Sequence, residues 1–197
     1  MLELLTGTGL ATAAGLNAAL PLLVLGALDR WTGLVTLPEQ WAWLSSPWVL
    51  ALLVLLLALE VVADKVPGFD HANDVVQSVV RPTSGGIVFG AGSSSATAAV
   101  SDPTALVDGA TWLPVALGVL LALVVHVAKA LMRPVVNVTT GGLGTPVVSM
   151  AEDVTSLALS LSAVLVPVLV LLVLGSATAV GTRWWHRRHG RLKEEAR

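Results

Sequence analysis

Long apolar stretches dominate this chain, and the few positions that interrupt them set its plan. Between charged residues lie six segments. They are Gly9–Leu28, Pro47–Ala63 (interrupted only by Glu60), Pro82–Ser101, Ala110–Val125, Pro134–Ala151 and Val154–Thr182. A hydrocarbon core takes roughly 20 apolar residues to cross, so each segment is a candidate span. The expected fold is an all-α integral membrane domain of six transmembrane helices over residues 1–182, with a basic tail at 183–197. Before the third segment, Val75, Val76, Val79 and Val80 form one apolar side behind Asp70, a plausible N-cap. This predicts one short amphipathic surface helix, stopped by Pro82.

Composition agrees, with 55% hydrophobic and 12% charged residues over 197 positions. That surface is too poor in charge for a soluble domain. There is no cysteine, so disulfides and thiol chemistry are excluded. The net charge of −2 and the lack of a basic, aromatic-laced patch argue against nucleic acid as a partner. No nucleophile elbow, phosphate loop or HExxH motif occurs, so the chain reads as neither an enzyme nor a cofactor protein.

Positive charge orients the spans, because cytoplasmic segments are enriched in Lys and Arg. With six spans and the N-terminus inside, Lys65, Arg81, Lys129, Arg133 and the basic tail are cytoplasmic and only Arg30 is outside. Both termini are then cytoplasmic. If Pro134–Ala151 were a loop, five spans would remain and this bias would vanish. Trp31, Trp41, Trp43, Trp48 and Trp112 fall at the outer face in this scheme, and Trp184 and Trp185 at the inner one, as in aromatic belts.

Two segments rhyme. Lys65 is followed by Arg81-Pro82-Thr83-Ser84-Gly85-Gly86, and Lys129 by Arg133-Pro134 and then Thr139-Thr140-Gly141-Gly142. This predicts a parallel internal repeat of spans two and three with spans four and five. A weaker echo is Thr6–Gly9. Glycine pairs unwind helices cheaply and free carbonyls for a solute, so spans three and five are expected to be broken at their glycines. Close helix packing is the other use of small residues.

Glu60 stands about one turn inside the boundary set by Asp64 and Lys65. A lipid-facing charge at depth costs about 2.5–3.5 kcal/mol, so Glu60 should face inward and find a partner. His126, Lys129 and Arg133 share one face of span four, which makes Lys129 or His126 the expected partner of Glu60. Lysine and arginine near a helix end also snorkel to water, which needs no site. Glu152 and Asp153 fall between spans five and six, where Ser149 and Glu152 also fit a capping box. Asn17 and Asn137 sit inside apolar stretches, each read first as an interhelical bond and second as a ligand contact. Asp70, His71 and Asp74 have ligand types and spacing that suit a divalent ion, though a solvated helix start explains them equally.

Four stretches, "GLATAAGLNAALPLL", "SSPWVLALL", "EVVADKVPGFDHANDVVQ" and "RPVVNVTTGGLGTPVVSMAEDV", together resemble a bacterial multi-pass family catalogued as a domain of unknown function. The resemblance implies a small helical protein of the bacterial cytoplasmic membrane and supplies no activity. A fainter similarity is to cation/proton exchangers with a Glu-x-Gly-Asp-Lys-Ser/Thr motif. Here Glu60 to Val66 has one residue more, alanine for glycine and valine for the hydroxyl residue.

The expected function is a channel or transporter for a small polar solute or ion, a cation among them, with its path between the repeats. Glu60 and Asp64 would bind or relay, Lys65 and Lys129 would compensate charge, and the Thr-Gly-Gly breaks would supply backbone ligands. The alternative is a membrane scaffold that holds a protein or lipid partner. The lipid bilayer is a partner in both, and a homo-oligomer is compatible with either.

Overall fold

The computed structural model describes residues 1–63, 70–101, 112–141 and 144–176, without the side chains of 70–75 and 137. Among the described residues the main helices are α1 (Leu2–Leu16), α2 (Ala19–Trp31), α3 (Pro47–Ala63), α4 (Asp70–Ser94), α5 (Trp112–Thr140) and α6 (Thr145–Leu165). A 3₁₀ turn, Glu39–Ser45, leads into α3, and residues 168–176 are helical again. Two short strands, β1 (Val35–Thr36) and β2 (Ala96–Thr97), pair antiparallel, Val35 with Thr97 and Thr36 with Ala96.

Helix α1 is the centre, packed by α4, α5 and α6. Its sequence, LELLTGTGLATAAGL, explains why. Without a hydrophobic force between helices inside a bilayer, association depends on close packing, which small residues permit. Gly7 lies under the ring of Phe89 on α4, and Gly15 lies against Val125 and the Ala122 carbonyl of α5. A Cβ at Gly9 would stand 2.7 Å from both Ala163 and Val170.

The first apolar segment is not one crossing. Asn17 leaves the helix with φ −143° and ψ 123°, and its Oδ1 accepts from the backbone N–H of Ala19 and Leu20, both at 3.0 Å. An asparagine side chain that caps a new helix competes with continuing the old one. The register shows where each half goes. Thr6 and Gly7 lie beside Gly92 and Phe89, and Gly15 is reached by Arg81, so α1 runs antiparallel to α4. Ala18 is bonded by Ser84, whereas Gly26 lies against Leu44 and Leu50. Thus α2 returns to the end from which α1 set out, the end that carries the β1–β2 ribbon, Trp31 and Trp48. The α1–α2 pair is a helical hairpin with Asn17 at its tip. The expected single span from Gly9 to Leu28 is corrected accordingly, and the start of α1 cannot lie across the membrane from Trp31.

Pro82 does not stop the surface helix either. It lies inside α4, which continues to Ser94, so the expected surface helix and third span are one element. Proline removes the donor that the Ser78 carbonyl would take, a loss the helix carries while Arg81 and Ser84 on either side of Pro82 anchor α4 to the Gly15 and Ala18 carbonyls. Gly85-Gly86 is likewise helical, not unwound, and serves a close crossing. Gly85 and Gly118 on α5 meet backbone to backbone, and Gly86 lies against Val115 and Val119. Together with the Ser78–His126 contact, this makes α4 and α5 antiparallel neighbours. The two Arg-Pro segments therefore run in opposite directions, and the parallel repeat is not the arrangement found. Gly141 of the second glycine pair does stand at a helix end. α5 passes through Pro134 to Thr140, and Gly141 has φ +61°. Segment Pro134–Ala151 is thus divided between the end of α5 and the start of α6.

A different repeat is present. Met1–Gly26 aligns without a gap with Met150–Gly175, and Met1, Glu3, Thr6, Leu10, Ala14, Leu16 and the run Leu22–Gly26 recur as identical residues. Both copies break at one register: α1 ends at Leu16 with α2 starting at Ala19, and α6 ends at Leu165 with helix resuming at residue 168. Asp153 bonds Asn17, Ser156 bonds Ala13, and Ala163 meets Gly9, so the two copies lie antiparallel.

Among the described residues, α5 and α6 are long and apolar enough to cross a membrane. The 3₁₀ turn with α3, bent by 58°, makes a third candidate. The outer faces of α3, α5 and α6 expose large apolar side chains such as Leu55, Leu59, Val124, Leu131, Val147 and Val154. Such faces suit lipid and would aggregate in water.

Candidate functional site at the hairpin tip

Where α1 breaks, its last carbonyls lose their helical partners and present the negative end of the helix dipole. Two long cations meet them. Arg81 reaches across from α4 to the Gly15 carbonyl (3.3 Å), and Lys129 from α5 to the Leu16 carbonyl (3.0 Å). Ser84 Oγ donates to the Ala18 carbonyl at 2.6 Å. The hairpin tip is thus held by side chains of two neighbouring helices.

Each cation has a carboxylate partner. Arg81 donates through its second Nη to Glu60 Oε1 on α3 at 2.8 Å, and through Nε to Gln77 Oε1 at 3.1 Å. Lys129 Nζ stands 2.6 Å from Glu152 Oε2 on α6, and Arg133 approaches the same oxygen at 3.6 Å. Asp153 Oδ1 accepts from Asn17 Nδ2 at 2.9 Å. Arg81 is 2% exposed, Glu60 6% and Lys129 8%. Among the described residues, three cations and three carboxylates are gathered in one formally neutral hub, in which Glu152 and Asp153 are half-buried.

The expectations fare unevenly. Glu60 faces inward, but its partner is Arg81 rather than Lys129 or His126. α4 lies beside α3's carboxylate, whereas Lys129 is drawn to Glu152. His126, Lys129 and Arg133 do share an inward face and are buried, so they do not snorkel. His126 Nε2 lies 3.1 Å from Ser78 Oγ. Ser149 is no N-cap, because α6 begins a turn earlier at Thr145, and Glu152 and Asp153 belong to the hub. Thr139 and Thr140 bond their own helix at Val135 and Val136, and Thr140 also accepts from Gly144 N, well away from the tip. Thr83 borders a cleft, and Gly85 and Gly86 are packing residues. Asp64, Lys65 and Gly142, and the side chains of Asp70, His71, Asp74 and Asn137, lie outside the described residues, as does the tail from 183 with Trp184 and Trp185.

Arg81, expected only as a cytoplasmic charge, and Asn17, expected first as an interhelical bond, both belong to the hub. A signal for Arg81 was available: it follows Gln77 by one helical turn and precedes a charge-free run, so a buried cation there needed an acid.

Over residues 4–187 the sequence matches the family described as Domain of unknown function (DUF4126). The chain belongs to this family. No curated protein and no solved structure matches it. The DUF4126 match spans every element of the hub, from Asn17 to Asp153.

Proposed function

We propose that this DUF4126 protein is a channel or transporter of the bacterial cytoplasmic membrane for a small polar solute or ion, with cations the leading class. The observation that supports the reading is the ion hub around the tip of a broken helix. Broken helices at mid-depth, with half-helix ends and charged side chains converging, are the usual construction of transporter sites. Burying ions is costly, and a scaffold that only holds a partner needs no such hub.

In this reading Glu60, Glu152 and Asp153 are the exchangeable carboxylates. Arg81, Lys129 and Arg133 hold the hub neutral when no cation is bound. An entering cation competes with Lys129 for Glu152, and the displaced ammonium keeps the Leu16 carbonyl. The α5–α6 seam is the approach, since those helices touch little beyond the bridges to Glu152. The six-span count gives way to three crossings, α3 to α5, with the α1–α2 hairpin entering from one face and its antiparallel copy, α6 with residues 168–176, from the other.

Purified protein in liposomes, screened for H⁺, Na⁺ and K⁺ flux and for uptake of small neutral solutes, tests the reading. We expect flux of at least one cation above protein-free vesicles, lowered about tenfold or more by Glu152→Gln. Rates equal to empty vesicles for every solute would defeat it.

A further inference from the structure

A cleft of about 520 Å³ lies between α2, α3 and α4 and ends at Glu60, Gln77, Thr83 and Ser84. Its size is that of small-molecule sites. We propose that it binds an uncharged, hydroxyl-headed, single-chain amphiphile, with the chain between the helices and the hydroxyl on Gln77.

Gln77 carries the argument. It is 7% exposed, and its Oε1 accepts from Arg81 Nε at 3.1 Å. That bond fixes the amide's orientation and turns its NH₂ away from Arg81, and among the described residues nothing accepts from it. This donor is not sealed in the interior but opens onto the cleft, where a ligand can accept from it. Beside it, Ser84 spends its proton on the Ala18 carbonyl and Thr83 on the Val79 carbonyl, so both oxygens are left to accept. One donor beside two acceptors is the pattern a hydroxyl satisfies in both directions. Charge selects against other heads. The 2.8 Å Glu60–Arg81 pair is already neutral, so a carboxylate or ammonium head would bring an uncompensated charge into a desolvated site. The walls are Leu22, Leu53, Leu56, Val79 and Ile87, which offer a tail only dispersion and burial. Leu56 and Val79 are exposed at the rim, on faces that suit lipid, so the chain enters sideways from the bilayer.

The test uses the full-length protein in phosphatidylcholine nanodiscs with hexadecan-1-ol carrying a mid-chain diazirine, irradiated and mapped by peptide mass spectrometry. We expect saturable adducts on residues 53–59 and 79–87. Excess hexadecan-1-ol should displace them, and palmitate or hexadecyltrimethylammonium should do so at least tenfold less well. Gln77→Met should weaken labelling about tenfold, the worth of one hydrogen bond. Because Gln77 also steadies Arg81, Leu56→Trp is the second variant: it fills the cleft from its rim and should abolish saturable labelling with the hub intact. Non-saturable labelling, equal to that at Leu131 on the outside of α5, would reduce the cleft to ordinary lipid contact and overturn the proposal. Equal displacement by a charged amphiphile, or wild-type labelling of the Leu56→Trp protein, overturns it as well. None of these outcomes depends on whether the protein carries flux.

Discussion

The ammonium of Lys129 lies 3.0 Å from the carbonyl oxygen of Leu16, the residue at which α1 ends. One side chain therefore closes an open helix end and, at 2.6 Å, also neutralises Glu152. Lys129→Met should leave the Leu16 carbonyl unmatched and Glu152 with only the longer 3.6 Å contact to Arg133, costing about 3 kcal/mol. Adding Glu152→Gln should recover part of that loss, which unfolding titrations of the two single variants and the double variant in detergent would measure.

Arg81 serves three partners, Glu60, Gln77 and the Gly15 carbonyl, so the two removals should be unequal. Arg81→Gln frees Glu60, the Gly15 carbonyl and Gln77 Oε1 together. It should destabilise by about 3–5 kcal/mol, and Glu60→Gln by less, because a neutral amide can still accept from Arg81. Equal losses in the same titration would mean that the ion pair, not the helix end, dominates.

Glycines at the α4–α5 crossing should be intolerant of any side chain. Gly85→Ala and Gly118→Ala place a methyl against the facing backbone and should each cost about 1–3 kcal/mol. At Gly33 an added methyl meets nothing within 4 Å, so Gly33→Ala should leave the melting temperature unchanged.

Asn17→Ala removes the cap of α2 and the bond to Asp153, a loss of about 1–2 kcal/mol. Asn17→Asp keeps the cap but sets two carboxylates together. It should be the worse of the two variants in melting curves, since like charges side by side destabilise. By contrast Ser156→Ala, which loses a single bond to the Ala13 carbonyl, should cost only about 0.6 kcal/mol.

Orientation is open to side-specific reporters. The start of α1 shares an end with Trp31 and Trp48, and the basic tail favours the cytoplasm. An N-terminal reporter should therefore be active outside and a C-terminal one inside. An N-terminal signal from the cytoplasm would contradict the hairpin.

Segments with a strong period and long apolar runs were legible in the sequence, and so was the inward aim of Glu60, because the cost of a charge in lipid leaves few choices. The hairpin was not. Gly9–Leu28 has no charge to mark a turn, and a single asparagine reverses the chain only because Asp153, Arg81 and Lys129 converge on it from other helices. Pro82 misled for the opposite reason, since packing of α4 against α1 and α5 holds a helix that an isolated proline would break. Counting Arg81, Lys129 and Arg133 as surface charges also skewed the orientation argument, because buried cations say nothing about which side is cytoplasmic.

The bend of 58° between the 3₁₀ turn and α3 gives that helix leverage. α3 leans on α2 near its start, while its inner end is fastened to α4 through Glu60. From Pro47 to Glu60 the arm is about 20 Å long at 1.5 Å per residue. Pivoting by about ten degrees at Ser46 would carry the carboxylate about 3.5 Å, enough to part it from Arg81. A small tilt at the tryptophan-rich end is therefore amplified into making or breaking an ion pair in the interior, with no helix needing to melt.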